Sequence, residues 1–211
     1  MNKFSITKLE EARRNPSKFG NQLKTGANAI SFGGGLAKSV KWLYAINSYH
    51  ESGNINNAIS YITQAFSNRK DTKKNREEVE QFIDAIENYV DEHNRLGNIF
   101  LQKSYNIDLP ITPVLHLKGW IWLLNMTSEG RRRAYQIKKP EDAYNWESEL
   151  QYPIIQDYVA NHIYGCRTKD VDVGVIDFYS GEHSQNSFSN TEIQDAINEL
   201  NSVGNLITSV L

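Results

Sequence analysis

Gln136 and Lys138 are the pair whose types and spacing point to chemistry. They end a stretch, Arg131 to Lys138, that reads as a strand. In a strand, residues two apart share a face, so Ala134, Gln136 and Lys138 fall on one side, and Tyr135 and Ile137 on the other. A lysine preceded at this spacing by an acid or an amide can hold a metal ion and a scissile phosphate together. The acid binds Mg2+, and the ammonium stabilises charge on the phosphate or orients the attacking water. The competing reading is a strand-end lysine pointing into solvent.

The elements that must position this pair span Leu115 to Gly181 and read as strand, turn, strand, helix, strand, an α/β order. Leu115 to Leu124 is rich in aromatic and branched residues, as a strand requires. Asn125 to Gly130 supplies turn residues. Arg131 to Lys138 returns as the partner strand. Trp146 to Ala160 is a helical candidate, with Trp146 and Leu150 on one inward face. Val171 to Phe178, charged only at Asp172 and Asp177, suits a buried third strand.

The chain has 211 residues, enough for one domain with a sizeable core. Hydrophobic content of 39% and charged content of 23% are ordinary for a globular protein. A net charge of −2 excludes a globally basic nucleic-acid coat but permits a local basic patch. Cys166 is the single cysteine, so no internal disulfide can form and no cysteine cluster offers a zinc site. The segment Met1 to Ser5 lacks an apolar signal region, and no run approaches membrane-spanning length. The expected location is cytoplasmic, with no membrane partner.

Residues 1–98 read as mostly helical, and residues 112–211 as the α/β core. Ser5 or Thr7 caps a first short helix, Asn15-Pro16 ends it and Pro16 opens a second, with Ile6, Leu9, Phe19 and Leu23 toward the core. Gly33-Gly34-Gly35-Leu36-Ala37-Lys38-Ser39 fails as a phosphate-binding loop, because Ala37 and Phe32 stand where that loop needs glycine. The glycines read instead as a hinge before a helix from Leu36 to His50, its stripe being Leu36, Val40, Leu43 and Tyr44. Further helices are expected from Asn57 to Phe66 and on to Leu96, before Gly97. Between them, Ser67 to Arg76 is a basic loop whose Arg69, Lys70, Lys73 and Lys74 could contact phosphate or simply be solvated. Ile99 to Pro113 is extended, Ser180 to Asn186 is a polar loop, and Ser189 to Glu192 is a capping box for a last helix.

With the elements in this order, the chain resembles the PD-(D/E)XK nuclease superfamily, most closely its RecB-type branch. Phe4 to Leu9 followed by Asn15 to Phe19 looks like that branch's opening helix and proline-aromatic turn. Phe32-Gly33-Gly34 is similar to the start of its histidine helix. Gly119-Trp120-Ile121-Trp122, then Gln136-Ile137-Lys138, stand where the family keeps its glycine-x-x-aspartate and acid-x-lysine strands. Leu150 to Ala160, before Val173 to Ile176, looks like its glutamine/tyrosine helix and closing strand. The resemblance implies a restriction-endonuclease-like fold, a small mixed central sheet flanked by helices.

The departures fall on the chemistry. Trp122 replaces the metal-binding aspartate, Gln136 replaces the acid with a neutral amide that coordinates Mg2+ less well, and Ala37 and Lys38 occupy the histidine's region. Only Lys138 matches. Glu147 or Glu149 could restore a carboxylate, as migrated acids do in some members of the fold; the bland reading is a helix N-terminal acid and a surface residue. His116, a lone strand histidine, is more simply structural.

Three functions follow. The first is a catalytically degenerate nucleic-acid-binding or assembly subunit, in which Lys118, Arg131, Arg132, Arg133 and Lys138 contact the phosphates of DNA or RNA. The resemblance places such a subunit beside other proteins in a DNA-processing or phage-defence system. The second is an active nuclease that uses Mg2+ with Lys138 and Glu147 or Glu149. The third is a protein-interaction subunit without nucleic acid. No resident metal is expected in the first or third.

Overall fold

A computed structural model describes residues 1–26, 38–138 and 145–211. The glycine run, its hinge and the Phe32-Gly33-Gly34 likeness lie outside the described residues. In chain order the strands are β1 (Asn2–Ser5), β2 (Asn98–Thr112), β3 (Leu115–Thr127), β4 (Arg132–Lys138), β5 (Val171–Asp177) and β6 (His183–Asn186). The helices are α1 (Leu9–Arg14), α2 (Pro16–Lys24), α3 (Lys38–Ser52), α4 (Ile55–Phe66), α5 (Lys73–Arg95), α6 (Gln151–Tyr158) and α7 (Asn190–Thr208).

The strands form one mixed, six-stranded sheet flanked by helices, an α/β fold. β3 is its axis. Along one edge β3 pairs antiparallel with β2 over almost its whole length. Along the other it carries two partners in succession: β1, parallel, over Leu115–Lys118, and β4, antiparallel, over Leu123–Met126. β5 joins β4 in parallel, and β6 joins β5 antiparallel. Gly174 lets β6 close on β5, since a Cβ there would run into the Ser184 carbonyl.

Two apolar cores lie on the two faces. One packs β1, α1, α2, α6 and α7 against Leu115, Leu117, Ile121 and Ala134. The other packs α3, α4 and α5 against Leu123, Tyr135, Ile176 and Phe178. Trp122 and Leu123, though consecutive, both join this second core, so the strand alternation breaks there. Ser104, between the pairs Lys103–Leu123 and Tyr105–Ile121, has φ of 56°, a matching irregularity in β2.

Local signals explain the helix ends. Asn15 accepts from the Lys18 amide ahead of Pro16, Thr72 accepts from the Asn75 amide, and Ser189 with Glu192 forms the expected capping box. Four expectations are corrected. Residues 2–5 and 183–186 are strands of the sheet, so the helical N-terminal part donates β1; the segment expected to be extended, 98–112, is a strand too. Trp146–Ser148 is a separate 3-10 turn, because Glu149 adopts extended backbone (φ −80°, ψ 130°) before α6 begins. The buried face of α3 is Trp42, Leu43, Ala45 and Ile46, with Tyr44 exposed. Lys73 and Lys74 open α5 and do not belong to a loop.

Candidate functional site

β4 delivers Gln136 and Lys138 to a cavity of about 930 Å³ that opens where β1 and β4 diverge from β3. Among the described residues, no strand pairs with β3 at 119–122 on that edge. Gln136 fills part of the gap: it is buried, and its Nε2 donates to the Trp120 carbonyl at 2.8 Å. Ile6 packs over Gly119, where a Cβ would run into it, as the chain turns from β1 into α1. The ladder to β5 continues past Lys138, whose carbonyl accepts from the Phe178 amide at 3.2 Å. That bond holds the stacked rings of Phe178 and Tyr179 at the cavity wall.

Lys138 meets the Glu149 carboxylate inside the cavity, and its Nζ stands 5.6 Å from the centre of the Tyr152 ring. The other Glu149 oxygen accepts from the Gln151 amide. Glu10, on α1, also lines the cavity: one oxygen accepts from the Leu150 backbone amide at 2.7 Å, beside Glu149, and the other faces Arg13 at 3.4 Å. Burial, and then the Glu149 charge, push the Tyr152 hydroxyl well above the usual phenol range. Arg14, Lys38 and Trp122 complete the lining. Lys38 and Arg69 share Glu78; burial acts to raise that carboxyl, and the two cations outweigh it and hold it below its ordinary value.

This donor set does not fit a divalent cation. Trp122 has no oxygen to offer, and the carboxylates of Glu10 and Glu149 are already bonded to protein donors. Among the described residues, no three His, Cys, Asp or Glu side chains converge as a metal cage. What the arrangement offers is cationic groups and flat aromatic surfaces in one concavity.

The sequence-based candidates are only partly brought together. Gln136, Lys138 and Glu149 converge. Glu147 is exposed on the 3-10 turn and does not line the cavity. Arg131 and Arg133 converge instead on Asp172, and Arg133 also donates to the Leu96 carbonyl at 3.0 Å. Arg132 packs over the Tyr164 ring. Arg132 and Arg133 begin β4, with Arg131 just before it, and Lys138 ends it, roughly 20 Å away at the usual strand rise. Lys118 lies at a second concavity and is bound by Asp108, which also holds His116 at 2.7 Å. Lys70, Lys73 and Lys74 are exposed around the start of α5, where Lys73 faces Glu77 at 3.6 Å. Lys138, the run Arg131 to Arg133, Lys118 and the cations around the start of α5 thus stand in different parts of the fold.

Sequence reasoning missed Glu10, Arg14 and the pair Phe178 and Tyr179. Glu10 reads locally as a helix N-terminal acid, and its place in the cavity depends on contacts with residues far along the chain. No helix among the described residues is long and apolar enough to cross a membrane. No protein-family model matches the chain, and no curated protein matches it either.

Proposed function

We propose that the chain is a PD-(D/E)XK-like module of the RecB type that binds nucleic acid at the Lys138 cavity without cutting it. One observation supports this most: Gln136 and Lys138, side by side on β4, line a cavity at the divergence of β1 and β4 from β3. In such a cavity Lys138 and Arg14 attract phosphate, while Trp122 and Tyr179 offer surfaces to sugar and base. The absent carboxylates at positions 122 and 136 remove the usual route to a bound metal. A module of this kind belongs, by its resemblance, among the protein subunits of a DNA-processing or phage-defence system.

Binding of linear DNA and RNA across a salt series tests the reading. Phosphate contacts require affinity to fall linearly on a log–log plot as salt rises. Absence of binding to either polymer at low salt contradicts it and leaves a protein-interaction subunit. Cleavage is the second reading, favoured by the contact of Glu149 with Lys138. Product formation in Mg2+ or Mn2+ that disappears in Lys138→Ala would establish it.

A further inference from the structure

We propose that Trp120 is a stacking platform for an unpaired base, so that the nucleic acid held at Lys138 is single-stranded. The inference rests on the nucleic-acid reading above and adds a second contact point to it.

The observation is an exposed tryptophan on the central strand. Along β3, His116, Lys118 and Trp120 alternate with Leu117 and Ile121, which are fully buried in the first core. On the opposite face the second core reaches Trp122 and Leu123, and among the described hydrophobic residues Trp120 is not part of it. Trp120 is left 46% exposed, against 0% for Trp42 and 4% for Trp146. An exposed tryptophan in the middle of a long central strand has no role in the core.

Its surroundings suit a strand of nucleic acid. A concavity of about 820 Å³ is lined by Lys3, Asn106, Asp108, Lys118, Gly119 and Trp120. Lys3 and Lys118 outnumber Asp108, which holds Lys118 and His116 in place beside the ring. This concavity and the Lys138 cavity are neighbours, because the Trp120 carbonyl accepts the Gln136 amide at 2.8 Å and Gln136 lines the cavity. Lys118, Trp120 and then Trp122, which lines the Lys138 cavity, follow one another on one face of β3; Lys138 itself enters that cavity from the other face, that of Ala134. A base stacks on an indole only when it is free of its own duplex, which selects a single strand.

The test uses the whole chain, a labelled thymidine oligonucleotide long enough to span both concavities, and its duplex with the complementary strand, all at low salt. The single strand is expected to bind more tightly than the duplex and to quench tryptophan emission. Trp120→Ala weakens single-strand binding roughly tenfold and leaves the salt slope unchanged, since no charge is removed. Trp120→Phe recovers part of the loss, and matching thermal melts show that all three proteins fold. If Trp120→Ala binds as the parent does while Lys138→Ala binds less, the platform is refuted and the Lys138 site stands. If the parent binds neither form, both are refuted.

Discussion

The ammonium of Lys138 lies against the carboxylate of Glu149, which comes from outside the sheet, just ahead of α6. Both side chains are mostly shielded from water, so the pair is screened little by salt. The one sequence match to a phosphate-handling lysine is therefore partly neutralised before any ligand arrives.

Removing that neutralisation should strengthen binding. Glu149→Gln keeps the shape and takes away one negative charge beside the phosphate path. The expected gain is roughly fivefold in low-salt affinity for DNA or RNA, the equivalent of about 1 kcal/mol between near charges. An anisotropy titration reads it. A loss of affinity would contradict the placement of the phosphate.

Asp172 is the anchor of the opposite end of β4. It is buried, and it faces Arg131 and Arg133. Asp172→Ala leaves two guanidinium groups without their acid and should lower stability by about 3 kcal/mol, measured by urea unfolding. Arg131→Ala should also destabilise the fold while leaving nucleic-acid affinity unchanged. A loss of affinity with intact stability would return Arg131 to the binding surface.

Three histidines make stability depend on pH. His50 Nε2 lies 2.9 Å from the Tyr89 hydroxyl, which also faces His93 Nδ1 at 3.4 Å, and the His183 ring stacks on Tyr89. Burial, with the neighbouring His93 adding to it, lowers His50 to about 3. Burial lowers His93 to about 4 against a weaker upward pull from the Asn98 backbone. Burial also takes His183 to about 4, although Glu92 pulls it upward. The unfolded chain binds these protons near pH 6.5 and the folded chain does not, so stability rises with pH across this window. It is full above about 6.5 and falls as the pH drops toward about 4. Urea midpoints should decline over that range, and His93→Gln should flatten the decline. A flat profile in the parent protein would show that the rings are not buried as neutral groups.

The parts of the fold that were legible in the sequence are those with local signals. The helices around Trp42, Ile62, Phe82 and Ile193 repeat apolar residues at helical spacing, and the strands at Ile121, Tyr135 and Val173 are rich in β-formers. The missed strands have no such pattern. β1 is four residues long and pairs with Leu115–Lys118, far along the chain. β6, His183-Ser184-Gln185-Asn186, is polar and is held by backbone pairing to β5. β2, which the sequence shows as extended, carries Pro110 and register shifts at Phe100/Gln102 and Pro110/Thr112 that blur its strand pattern. The site divides in the same way. Gln136 and Lys138 are close in sequence and share a face, whereas Glu10 reaches them through the packing of α1 beside the segment that precedes α6.

The most direct test of the central claim compares the parent protein with Lys138→Ala on linear DNA and RNA in the presence of Mg2+. Each sample is read twice, by binding anisotropy and by a denaturing gel. The parent is expected to bind, Lys138→Ala to bind roughly fivefold less tightly for the one charge removed, and every strand on the gel to stay intact. Shortened strands with the parent but not with Lys138→Ala, or no binding by the parent at all, would contradict it.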